Sequence, residues 1–430
     1  MATVVFTGAA PAVAQVSDYV FAGTWESSDV ITLSFGNKTV STTAGSTTIT
    51  TIIDSLVTLW NALSSTAYPE FAEITASRSS TTLRLTADTA GVPFTCTIAT
   101  TETGGGAADA QTIDGAATST GTESTVCSSA NHWNAAANWS GGAVPVDSDD
   151  VVIERTDIEI RYGFAQTAID LTSLTIPASF TGKIGLPDYN ETGGYYEYRT
   201  KSLMLGTATT VTIGRGDGQC SGFIRLHLGT NATTVNVEGT ATPAVAGLPA
   251  LMIQGSNASN VLNLTQGNVG LAVGAGETAQ FPTIRVGSET SPTSDATLVC
   301  GAGCTLAGTI TQAGGSVTVQ TAVTTWTKTA GSTSTCLGSA TIGTLTQDGQ
   351  GVHYSQSSGT ITTATFRGAG AVFDKTRDLR AQTITNSTFT NGGAVLDPNK
   401  TLTFTNPFAT DQTSLARHVL GYAPFSLQRS

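Results

Sequence analysis

The chain has 430 residues, too many for one compact core, so two or more domains or one elongated domain are expected. Charged residues make up 12%, about half the usual share, while 39% are hydrophobic and 47 are glycine; this excludes a disordered polyelectrolyte and favours a β-rich chain with many tight turns. A net charge of −12 argues against nucleic acid or an anionic membrane as partner, and no apolar run approaches the roughly 18 residues of a membrane-spanning helix.

Residues 1–100 read as a compact ββαββ domain. The runs "DYVFAGTW" and "DVITLSFGNKTVST" are strand-like, with a hairpin turn at Gly36-Asn37. The run "TIIDSLVTLWNALSS" puts Ile52, Ile53, Leu56, Leu59, Trp60 and Leu63 on one helical face. Strands return after it, with alternation in "TTLRLTA" and a turn at Ala90-Gly91. The opening "MATVVFTGAAPAVAQ" has neither a basic residue nor an apolar run of signal-peptide length, so no export signal is expected. Residues 101–124 hold no aromatic side chain and predict a Gly/Thr-rich linker.

Residues 125–200 begin with the densest stretch of the chain, "NHWNAAANWSGGAVPVDSDDVVIE". Trp133, Asn138, Trp139, Gly142, Pro145 and Asp150 form an irregular run leading into apolar strands. Asp147, Asp149, Asp150, Glu154, Asp157 and Glu159 offer hard oxygens, but without the spacing of a calcium loop; they are expected to end turns and shield a strand edge. In "GLPDYNETGGYYEYRTK", Tyr189, Tyr195, Tyr196 and Tyr198 make an aromatic patch. It suits either packing at an interface or stacking on a glycan.

From 201 to 405 a drifting repeat emerges in "GTITQAGGSVTV", "TTWTKTAGSTST", "GTLTQDGQGVHY", "ATFRGAGAVFD" and "STFTNGGAVLD". The apolar anchors Ile310, Trp326, Leu345, Phe366 and Phe389 lie 16, 19, 21 and 23 residues apart, each followed by a glycine turn. About twenty residues per repeat, in short β runs, predict a right-handed parallel β-solenoid of about ten rungs, roughly 50 Å long. The Trp133–Trp139 run then serves as the cap that such a stack needs over its open end. Residues 406–430 read as a tail with a helical turn near Asp411–Leu420 and an apolar end around Tyr422–Phe425.

The stretch "HWNAAANWSGGAVPVDSDDVVI" resembles the W…NWsgG…P…DDVvI motif that opens β-solenoid regions in bacterial surface proteins and in phage virion proteins. About 25 residues carry the likeness, and it implies a scaffold rather than a reaction. The six cysteines, 96, 127, 220, 300, 304 and 336, show no zinc spacing and are expected as buried thiols. Asp348, His353, Asp374 and Asp378 are the residues a carbohydrate-active solenoid could use, but no catalytic motif joins them.

The expectation is therefore a non-enzymatic virion protein without cofactor or metal, a capsid decoration or fibre protein attached through its N-terminal domain. Its expected partners are other capsid or tail proteins, further copies of itself and a host glycan. A secreted bacterial surface or adhesin protein is the alternative, and a carbohydrate-active enzyme a third.

Overall fold

The structure, a computed structural model, describes residues 2–63, 67–103, 111–154, 157–216, 220, 222–241, 247–288, 295–329 and 331–420. Short runs of β-branched residues with alternating burial, such as Ser316–Val319 and Val323–Lys328, make strands whose two faces differ in chemistry. These strands pair in parallel and build two long ladders. One starts at Thr3–Val5 and passes through Asp150–Val152, Ala165–Pro177 and Leu203–Arg215 to Leu402–Phe404. The other runs from Glu159–Ile160 through Lys183–Ile184 and Phe223–His227 to Val419–Leu420. Successive strands alternate between the ladders, as the coils of a parallel β-solenoid require.

Register explains the core. Val4, Val151, Leu174 and Val211 lie directly over one another, and the column continues through Ile310, Trp326 and Leu345 to Ala364. All of these side chains belong to one apolar cluster along the rod. Each fully buried Val, Leu or Ile contributes roughly 1.5–3 kcal/mol, and the neighbouring coils supply the cover that one coil lacks. Ten described strands of the first ladder fall within residues 201–405, in keeping with the repeat. One anchor slips. Leu345 stacks on Ala364, 19 residues on, while Phe366 stacks on Gln347. A shift of two residues leaves the inward face unchanged, so counting apolar anchors cannot detect it.

The outward positions of the same strands are threonines. Thr309, Thr325, Thr344 and Thr363 form one column, and Thr311, Thr327, Thr346, Thr365 and Thr388 a second. Charge enters this side beside the columns, as at Arg285, next to Thr311, and at the Asp348–Arg367 pair.

The N-terminal region departs from the ββαββ expectation in three ways. Thr3–Val5 is not part of the small domain but the first strand of the solenoid. The domain proper has two antiparallel sheets, one ordered Thr122–Thr125, Val16–Ala22, Thr82–Ala87, Ile74–Ser79, the other Lys38–Thr43, Val30–Phe35, Cys96–Thr101, Thr118–Ser119. The helix Ile49–Ala62 packs Ile52, Ile53, Leu56 and Trp60 into the core between them. The hairpin at Gly36-Asn37 is present, with Phe35 opposite Lys38 and Gly36 at φ +61°. Finally, the described part of 101–124 is no linker. Thr112–Ile113 and Thr122–Thr125 pair with Val16–Ala22, and Thr118–Ser119 with Cys96–Thr101. Polar side chains there cover sheet edges rather than a mobile tether.

Val13 bridges Ser128, so the chain leaves and re-enters the solenoid at adjacent points. The small domain is thus an insertion between the first and second strands of the rod. At the far end the solenoid also outlasts residue 405. Ala409–Thr410 and Val419–Leu420 still pair with Gln382–Thr390 and Ala394–Asp397. Between them a short helix, Gln412–Leu415, is capped by Asp411 accepting from Ser414 N at 2.8 Å. Phe404, Phe408 and His418 stack beyond Phe389 and cover that end. The segment around Tyr422–Phe425 lies outside the described residues.

Candidate functional site

The tryptophan stretch sits at the first rung. The rings of Trp133 and Trp139 meet edge-on at 4.7 Å, and Phe6 meets Trp139 edge-on at 4.9 Å. All three are buried beside Val4 and Val151. Trp139 Nε1 donates to Trp133 O at 2.7 Å, which meets the polar need of a buried indole. Asn138 is fully buried: its Nδ2 donates to Ser129 O and His132 O, both at 2.7 Å, and its Oδ1 accepts from Ala10 N at 2.7 Å. One amide therefore ties the chain before the inserted domain to the chain after it. Gly142, at φ +70°, closes a left-handed turn by donating to Trp139 O at 3.0 Å. Pro145 is buried, and Asp150 accepts from Ser173 Oγ at 2.6 Å as the second rung begins. Every one of these polar contacts is internal, so the stretch is built as architecture.

The four tyrosines divide into two pairs. Tyr195 and Tyr198 face inward and dock the inserted domain on the rod. Tyr198 packs on Phe35 at 4.8 Å, and Tyr195 Oη donates to Glu73 at 2.6 Å. Arg199, nearly buried, donates to Glu73 at 2.7 Å and to Pro93 O at 3.0 Å while lying over the Tyr198 ring at 4.7 Å. Burial opposes its charge, but Tyr198, Glu197, Tyr195 and Glu73 outweigh that and hold the guanidinium firmly protonated. Burial first, and then the bond to Glu73, pushes the Tyr195 hydroxyl up, so it stays a donor.

Tyr189 and Tyr196 face solvent, 43% and 71% exposed. They oppose each other across a small hairpin, edge-on at 5.3 Å. The hairpin is held from below. Asn190 Nδ2 donates to Tyr195 Oη at 3.0 Å, and Asp188 accepts two bonds at 3.1 Å from the buried Arg225. Beside it opens a cavity of about 530 Å³ lined by Tyr189, Phe223, Leu248, Arg161, Lys183 and Glu191 among others.

Asp147, Asp149 and Glu159 are engaged by the fold, while Glu154 is exposed. Asp147 accepts from Asp170 N, and Asp149 from Val146 N. Glu159 holds Arg161 and Lys183; burial raises its pKa, but the two cations outweigh that and keep it ionised. The residues of the enzyme reading are dispersed. Asp348 pairs with Arg367 on the surface, Asp374 accepts from Thr376, and Asp378 holds Lys375 and Arg380. His353 lies in the core. All six cysteines are buried and unpaired, and burial raises Cys96 and Cys336 to about 12.

Two groupings escaped the sequence reading. Glu26, Asp29 and Glu102 bring carboxylate oxygens within 4.8 Å of one another, the group among the described residues able to offer a hard cation three ligands. Glu102 lies 73 residues beyond Asp29, so no local spacing announces it. The second is a polar section inside the rod, where Gln312, Lys328, Gln347, Ser334 and His353 are all fully buried. The weak signal for it was polar residues recurring at inward positions, such as the Lys328 of "TTWTKT".

The fold and these sites define a parallel β-solenoid, aromatic-capped at both ends and carrying an inserted α+β domain. Comparison with known protein families, with curated proteins and with solved structures finds no match.

Proposed function

We propose that this chain is a non-enzymatic structural protein of a virus particle, a capsid decoration or fibre component made in the host cytoplasm and carried outside on the particle. The observation behind the reading is the clamp of Glu73, Tyr195, Tyr198 and Arg199, which ties the inserted domain to the rod. Aromatic residues pack at both ends of the stack, the kind of cover that disfavours end-to-end addition of coils from separate molecules. The threonine columns offer a hydroxyl-rich surface for lying against a lattice or a second copy.

Attachment runs through the inserted domain in this reading. Because Val13 and Ser128 are adjacent, replacing residues 14–127 with a short glycine linker should leave a folded rod that no longer joins particles. The test is protein mass spectrometry of gradient-purified particles complemented with either form. Full-length chain in stoichiometric amounts and loss of the deleted form support the proposal. Absence from particles, together with labelling on intact bacterial surfaces, overturns it in favour of a surface adhesin.

A further inference from the structure

The coil between Leu174 and Val211 is 37 residues long, against 22–27 for the next four on the same ladder. The extra chain forms the hairpin of Tyr189–Asn190 and Tyr195–Tyr196. A surface hairpin of this size is marginal alone. Here Tyr195 is bonded to Glu73, Glu197 N to Asp188 O at 2.9 Å, and Asp188 to Arg225 and Lys201. Much of the coil's added length therefore supports two exposed tyrosine rings in a fixed edge-on arrangement.

The cavity beside Tyr189 mixes surfaces in a particular way. Phe223 and Leu248 give it apolar wall, while Arg161, Lys183 and Glu191 bring polar groups to the same space. Its volume of about 530 Å³ falls in the range of small-molecule sites. This trough adjoins a second hollow of about 610 Å³, with Arg161, Tyr162, Asn190, Thr192 and Arg199 common to both linings. Charge in the first cavity is nearly balanced, with Arg161, Lys183 and Arg199 against Glu191 and Glu197. Arg161 and Lys183 are moreover held by Glu159, and Arg199 by Glu73.

We infer that this trough binds a neutral carbohydrate chain, with Tyr189 and Tyr196 stacking on sugar rings at its rim. A pyranose has apolar C–H faces and a girdle of hydroxyls, which matches aromatic faces set beside hydrogen-bonding side chains. A peptide strand would need an open sheet edge, and the two-residue strands of this hairpin offer almost none. An amphipathic helix would need a continuous apolar groove, which the charged lining interrupts. An acidic polysaccharide meets a chain of net charge −12, and the cations of this cavity are already held by Glu159 and Glu73. Rigid, pre-placed tyrosines bind with little ordering cost.

The inference concerns the purified protein and holds wherever it is displayed. Native electrophoresis through gels containing galactomannan, dextran or xyloglucan, with polygalacturonate as the acidic probe, tests it. Retardation by at least one neutral polymer is expected. Tyr189→Ala/Tyr196→Ala should weaken it on the order of tenfold or more with an unchanged melting temperature, because both rings are exposed. Tyr196→Phe, which keeps the ring, should bind nearly as wild type. No retardation by any neutral polymer, retardation that survives the double alanine change, or retardation by polygalacturonate alone would each overturn the assignment.

Discussion

The two halves of the rod solve the same packing problem with different chemistry. Follow one inward column: Ile176, Ile213, Val237, Leu264 and Val286 stack in register, and then come Gln312, Lys328 and Gln347 before Phe366 and Phe389 restore an apolar column. The opposite ladder changes at the same level, from Leu298 and Val317 to Ser334 and His353, then back to Phe373. Coil length changes with it. Stacked positions from Val211 to Ile310 are 22–27 residues apart, but 16–19 from Ile310 to Ala364. In the short coils, interior side chains donate to backbone carbonyls on the inside of the rod. Gln312 Nε2 reaches Gly315 O and Thr333 O at 3.0 and 2.7 Å, and Lys328 Nζ reaches Val352 O at 2.9 Å. Long coils spend residues on outside loops and keep a dry column. Tight coils turn interior side chains onto backbone carbonyls, mostly those of the next coil.

The largest break in this contrast should come from moving a lysine along the column. Leu264→Lys puts an amine among Val237 and Val286, where every neighbour in the column is apolar. A loss of about 5 kcal/mol or more, seen as loss of a cooperative melt, is expected. A normal melt would mean that the coils exchange chemistry freely. Trp326 marks the boundary, stacked on Ile310 and donating Nε1 to Gln312 Oε1 at 3.2 Å. Trp326→Ala should cost about 3–5 kcal/mol in chemical denaturation.

Lys328→Met should act in the opposite direction. Burial holds the Lys328 pKa well below its ordinary value, so the unfolded chain binds this proton more tightly than the folded chain does. A gain of about 1–3 kcal/mol is expected at pH 7. The gap over wild type should close as pH rises toward about 10, where the unfolded lysine also loses its proton. A gap independent of pH would show that the amine stays charged inside.

The smallest effect concerns His353. Burial above all keeps it neutral, with its pKa held well below the ordinary range. Its Nδ1 faces Ser334 Oγ at 2.8 Å, and its ring lies between Trp326 and Phe373. Unfolded histidine titrates near 6.5, so the stability tied to this residue is intact above that pH and lost as pH falls below it. His353→Phe should reduce the drop between pH 7 and pH 5 by about 1–2 kcal/mol in urea titrations, even with His132, His227 and His418 depressed in the same direction.

Much of this contrast was half-visible in the residues. The solenoid is legible because Thr-Leu-Thr and Thr-Trp-Thr write an in–out alternation directly into the chain, and glycine marks the corners. The helix of the inserted domain shows through its 3.6-residue stripe. The first strand does not, because "TVVF" is too short to carry a period and its partner Asp150–Val152 lies far along the chain. The tyrosine patch was visible as composition, but its division was not. Tyr195 and Tyr198 turn inward only because Glu73 and Phe35 arrive from another domain.

The insertion of a whole domain between the first two strands has a consequence for the order of assembly. Val4 is made first, yet its partner Val151 follows 147 residues later, roughly 10–30 s into synthesis. Closing so long a loop late would be entropically unfavourable for an unstructured chain. Once the inserted domain has folded and brought Val13 to Ser128, the effective loop shrinks to nine residues on one side and 23 on the other, 32 in all. Logarithmic loop entropy makes that easier by about 1.3 kcal/mol. The small domain thereby acts as a clasp: its own folding brings the two rod strands close and favours closure of the top rung once the domain is sound.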